Sequence, residues 1–92
     1  MERIPILRVG GVLLVSIQVE LYDALVSQLQ EDVLLTIERR PAEGLVIDVS
    51  AVLVLDTFTA RALAQTAQMA NLMGTRTVVA GLRPEIALTL TE

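Results

Sequence analysis

Few side chains in this sequence can do chemistry, and most of those carry oxygen. The chain contains no histidine and no cysteine, and its basic residues are all arginine. Without histidine, the usual general base and the commonest metal ligand are missing. Without cysteine there is no thiolate or disulfide chemistry. Without lysine there is no G-x-x-x-x-G-K-[ST] phosphate loop, and Gly10-Gly11 is not a G-x-G-x-x-G turn and precedes a strand pattern rather than a helix. What remains lies in the stretch Leu45–Arg61, LVIDVSAVLVLDTFTAR. Asp48 ends an apolar run, at the edge where α/β folds place ligands. Its ordinary role there is to cap backbone N–H groups of the following loop. Asp48 and Asp56 together are carboxylates of the kind that suit Mg²⁺, but no other residue in the pattern supports a metal site, and none is expected.

Asp56-Thr57 can be read two ways. Either residue can be the N-cap of the helix that follows, because both side chains accept from free backbone N–H groups. A hydroxyl in the first turn of a helix is also exposed, where the helix dipole favours negative charge. A phosphate on Thr57 adds about −1.5 to −2 charge and three acceptor oxygens. Local helix geometry tolerates it, whereas Asp56 and the apolar loop before it do not. Such a modification alters a binding surface more than it melts a fold, which is what a switch in a protein–protein interface requires.

The elements that must hold this stretch follow from periodicity. Ile4–Val9 and Val12–Ile17 are extended runs around Gly10-Gly11, a pair suited to a two-residue hairpin turn. Pro5 puts the first strand at an edge. VLLVSI is nearly continuous in apolar residues and predicts a strand covered on both faces, as does Leu45–Val49. Between them, Tyr22, Leu25, Val26, Leu29, Val33, Leu34 and Ile37 form one stripe of a helix over Tyr22–Arg39. Arg39 and Arg40 complement its C-terminal dipole, and Pro41 ends it. Strand, helix and strand in this order predict a parallel crossover.

Ser50–Leu55 is an apolar connection, either packed beneath the next helix or exposed for a partner. A second helix is predicted over Thr57–Met73, with Phe58, Ala62, Leu63, Thr66, Ala70 and Met73 as its inner stripe and Gly74 beyond its end. Thr75–Ala80 is β-branched and reads as a strand. Pro84 then opens a third helix. The order is ββαβαβα, a mainly parallel open sheet with an N-terminal hairpin and packed helices.

Ninety-two residues make one domain, residues 1–92. Of these residues 53% are apolar, more than a small core needs, which favours apolar surface for self-association. A net charge of −4 and only one Phe and one Tyr argue against nucleic acid as a partner. No apolar run reaches the roughly 18 residues of a membrane span, and the N-terminus lacks a signal-peptide pattern. A cytoplasmic, non-enzymatic domain with no cofactor is expected.

IPILRVGGVLLVSIQVEL, GLVIDVSAVLVLDTFTARAL and GTRTVVAGLRPEIALTLTE together resemble the STAS domains of the anti-sigma-factor antagonist group, in particular the RsbS group of stressosome scaffold subunits. The resemblance covers essentially the whole chain and is most specific at IDVSAVLVLDTF, which contains the D-[ST]-F pattern. It implies a STAS fold that continues beyond the third helix with a further strand and helix, which are absent from this sequence. It also implies co-assembly with RsbR-like STAS proteins, sequestration of an RsbT-like switch serine/threonine kinase, and a phosphatase that resets the system. By position, Thr57 is then the phosphoacceptor, where the RsbS group usually has serine, and Asp56, Thr57, Phe58 and Arg61 form the partner-binding surface. Thr89, in GLRPEIALT, is a second candidate phosphoacceptor. Two other functions compete with this one. One is a simple STAS antagonist that binds an anti-sigma kinase without a large assembly; the other is a small α/β nucleotide-binding protein.

Overall fold

The computed structural model describes residues 2–84. The third helix expected from Pro84 and the candidate Thr89 fall beyond them. The elements run β1 (Leu7–Val9), β2 (Val12–Ser16), α1 (Asp23–Arg39), β3 (Gly44–Asp48), α2 (Thr57–Leu72) and β4 (Arg76–Ala80). They form one four-stranded sheet in the order β1-β2-β3-β4. β1 and β2 pair antiparallel, with Val9 opposite Val12, while β2, β3 and β4 are mutually parallel. The expected hairpin and parallel crossovers are therefore present. β1 is only three residues long and lies at the sheet edge. Gly10 takes φ +60 in the turn, a left-handed conformation that costs glycine little.

Both helices pack on one face of the sheet. Leu13, Val15, Ile17, Leu45, Ile47 and Val49 point into a single core with Leu25, Val26, Leu29, Val33 and Ile37 of α1 and Ala60, Leu63 and Ala70 of α2. This alternation is the period-2 signature of a sheet face. The α1 stripe matches the predicted one except at Tyr22, which is the half-exposed N-cap, and Leu34, which is only partly buried and outside the core.

Two expectations change. The apolar runs of β2 and β3 predict strands covered on both faces. Val12, Leu14, Val46 and Val78 instead line the opposite face, which no described residue covers, and Val78 is 52% exposed. A continuous apolar run does not distinguish a strand covered on both sides from one whose second side is apolar and open. The inner stripe of α2 is also rotated. Phe58 and Met73 are 50% and 43% exposed, and Thr59 and Ala60 are buried instead. The core takes the face 59, 63, 66 and 70, whose i, i+3, i+4 spacing is as good as the predicted one and which offers small side chains for close packing.

Candidate functional site

The C-terminal ends of the parallel strands carry the candidate residues. Asp48, the last residue of β3, accepts a hydrogen bond from the Ser50 backbone N–H at 2.9 Å. The chain turns there and Val52 N–H closes back on the Val49 carbonyl at 2.9 Å. These contacts hold the Asp48 carboxyl below its ordinary pKa, the backbone bond from Ser50 being the largest cause, with the Ser50 and Ser16 hydroxyls contributing. This is a loop-capping role. Gly81, at φ +76, lies against the same turn: a Cβ there would sit 2.7 Å from that of Ser50.

The loop from Ser50 to Leu55 is both buried and exposed. Val52 and Leu55 enter the core at 6% and 7% exposure, while Leu53 and Val54 stand out at 70% and 85%. Its apolar composition thus anchors the loop with two side chains and displays two others.

Asp56 is the N-cap of α2. Its backbone is extended (φ −78, ψ 170) and its Oδ1 accepts from the Thr59 backbone N–H at 2.7 Å. That bond is the main reason its carboxyl sits below the usual range. The Thr59 hydroxyl lies near the same carboxylate but is buried and makes no hydrogen bond of good geometry. Asp56 rather than Thr57 therefore caps the helix. Thr57 is the first helical residue and is exposed, as are Phe58 and Arg61. The structure brings the four predicted surface residues, Asp56, Thr57, Phe58 and Arg61, to one helix start. Arg61 sits one turn after Thr57, on the same side of the helix.

Beside this helix start runs a groove of about 450 Å³ between the segment 18–21 and the loop. Val19, Leu21, Leu53 and Val54 make its apolar walls, and Glu20 and Asp56 its acidic rim. Sequence reasoning missed Leu53, Val54 and the segment 18–21. All four positions of VLVL are apolar, so nothing in the pattern separates the anchors from the displayed pair.

Among the described residues no cluster of three acidic ligands is placed to hold a metal ion, and no helix is long and apolar enough to cross a membrane.

Comparison with known proteins gives a consistent result. A Moorella thermoacetica RsbS in which one serine is replaced by glutamate is 39% identical, covers 98% of this chain and 76% of its own, and superposes with a TM-score of 0.87. A component of a structure of the stressosome, described as a signal integration and transduction hub, is 37% identical over 95% of this chain and 76% of its own, with a TM-score of 0.78. The RsbT co-antagonist protein RsbRB of Bacillus subtilis (strain 168) is 39% identical over 62 residues, which are 67% of this chain and 22% of that protein. The chain thus spans under a quarter of the length of RsbRB. The STAS domain family model matches residues 3–92. With the mixed four-stranded sheet, its N-terminal hairpin and two helices on one face, that match makes the chain a member of the STAS domain family.

Proposed function

We propose that the chain is a stressosome scaffold of the RsbS type, an anti-sigma-factor antagonist that holds a switch serine/threonine kinase and is regulated by phosphorylation of Thr57. One observation carries this: an exposed threonine at the first position of a helix whose cap is supplied by its neighbour. Because Asp56 holds the helix, the Thr57 hydroxyl is free of a capping duty and can be modified without unmaking α2. Exposed Leu53, Val54 and Phe58 supply apolar contact for a kinase. After transfer, the phosphate would face the positive end of α2 and the Arg61 guanidinium, and would repel Asp56. It therefore reshapes the charge of the docking surface while the fold persists.

The partners are an RsbR-like co-scaffold, an RsbT-like kinase and a phosphatase that removes the phosphate, and the setting is the cytoplasm. The chain itself acts without catalysis or cofactor. The similarity to RsbS, to a stressosome component and to an RsbT co-antagonist supports this reading. The test is incubation with the RsbT-like kinase and ATP, followed by mass spectrometry. Phosphate is expected on Thr57, and none in Thr57→Ala at that helix start. Wild-type levels of phosphate on Thr57→Ala would overturn the assignment.

A further inference from the structure

The N-terminal segment and α1 enclose a second groove, of about 700 Å³, which no residue of α2 lines. Its α1 side is one helical stripe that runs from Gln28 to Arg39. Residues 3–8 lie along that stripe and are fastened to the helix at both ends. Arg3 meets Asp32 at 4.0 Å. Arg8 donates to the Arg40 and Pro41 carbonyls at 2.6 and 3.3 Å. The groove is therefore formed before anything enters it, which lowers the cost of binding. Between the two fastenings it is apolar: Ile4 is buried, Ile6 is half-buried, and Leu35 is 37% exposed.

Four of the chain's seven basic residues line this groove: Arg3, Arg8, Arg39 and Arg40. Two acids, Glu31 and Asp32, line it as well. Asp32 is already engaged, by Arg3 and by the Gln28 amide at 2.9 Å. Glu31 lies about 12 Å down the helix from Arg39. Glu2 and Glu38 neighbour Arg3 and Arg39 in the chain but do not line the groove. The C-terminus of α1 adds about half a negative charge, and the Arg8 guanidinium covers carbonyls there. Among the described residues no partner holds the Arg39 or Arg40 guanidinium. The end framed by Arg8, Arg39 and Arg40 is thus cationic, on a chain whose net charge is −4.

An occupant that fits is anionic at that end and apolar beyond it. A free phosphate or small carboxylate would leave the apolar length uncovered. Nucleic acid would find no aromatic side chain here to stack on. An extended polypeptide, rising about 3.3 Å per residue, covers the length from Arg39 to Glu31 with about four residues. We propose that this groove docks an acidic segment of a partner protein. The segment's carboxylates meet Arg39 and Arg40, and its apolar side chains lie on Ile6 and Leu35. The inference is independent of Thr57, which lies at the start of α2 and outside this groove.

Amide chemical shifts of the ¹⁵N-labelled chain, titrated with a synthetic peptide, test it. The peptide is a run of glutamates followed by alternating Leu and Val. Saturating shifts below about 1 mM peptide are expected, confined to the segments 3–8 and 28–41. The same peptide with glutamine for glutamate should bind at least about tenfold more weakly. Arg39→Gln with Arg40→Gln should weaken the glutamate peptide about tenfold or more. Arg76→Gln with Arg83→Gln removes the same charge from outside the groove, and should weaken it less than about twofold. Both pairs change exposed side chains, so both variants fold. The proposal is overturned by a wild-type chain that gives no saturating shifts, or shifts elsewhere. It also fails if the glutamine peptide binds as tightly, or if the two variant pairs weaken binding alike. Inorganic phosphate or oligothymidylate binding the groove as tightly as the peptide would reassign it to a small anion or to nucleic acid, and would overturn the proposal as well.

Discussion

At the scale of single residues, the helix start separates capping from presentation. Asp56 caps, so Asp56→Ala should lower the melting temperature by about 5 °C, and Asp56→Asn, which keeps an acceptor, should recover most of the loss. The pH dependence has a definite sign. The carboxyls of Asp48 and Asp56 are depressed in the folded chain. Their contribution is therefore complete above the ordinary carboxylate pKa near 4 and disappears as pH falls through the lower folded values. Acid titration of stability should show this loss below about pH 4, and Asp56→Asn should flatten it. Thr59 and Thr75 give different expectations from one residue type. The Thr59 hydroxyl is buried beside the Asp56 carboxylate without a hydrogen bond of good geometry, so Thr59→Val should shift stability by less than about 1 kcal/mol. The Thr75 hydroxyl donates to the Ala42 carbonyl at 2.8 Å in the core, so Thr75→Val should cost about 1–2 kcal/mol. Urea unfolding of both variants checks the pair. Sequence could place Asp56 and Thr57 at a helix start but not assign the cap between them, because both side chains can accept and only the backbone geometry at Asp56 decides.

At the scale of elements, the loop between β3 and α2 works by alternation. Val52→Ala and Leu55→Ala should each destabilise by about 2–3 kcal/mol, because they empty core space. Val54→Ser should shift stability by less than about 0.5 kcal/mol while weakening capture of the proposed kinase, since Val54 is 85% exposed in the free chain. Unfolding curves and a pull-down with the kinase separate the two effects. The same alternation explains what was legible. Helix α1 and the succession of elements along the chain could be read from periodicity because a 3.6-residue stripe and a glycine-bounded apolar run each have few competing interpretations. The inner face of α2 could not. An alanine-rich helix has several faces of similar apolarity, and the core selected Thr59, Ala60 and Leu63 for their fit rather than Phe58 for its hydrophobicity.

At the scale of the whole molecule, the two sides of the sheet differ in kind, and adjacent strands make the difference measurable. Ile47 in β3 and Val78 in β4 belong to neighbouring parallel strands, but Ile47 points into the core at 0% exposure and Val78 points to the open face. Ile47→Ala removes buried atoms from the middle of a one-sided core and should cost about 3–4 kcal/mol. For a domain of this size that is a large share of a total of roughly 5–10 kcal/mol, so the variant should melt more than about 10 °C below wild type. Val78→Ala removes atoms already half in water and should cost under about 0.5 kcal/mol when measured at low protein concentration. Thermal unfolding checks the pair: Val78→Ala is expected to melt within about 4 °C of wild type, because the fold draws its buried atoms from one side of the sheet and loses little from the other.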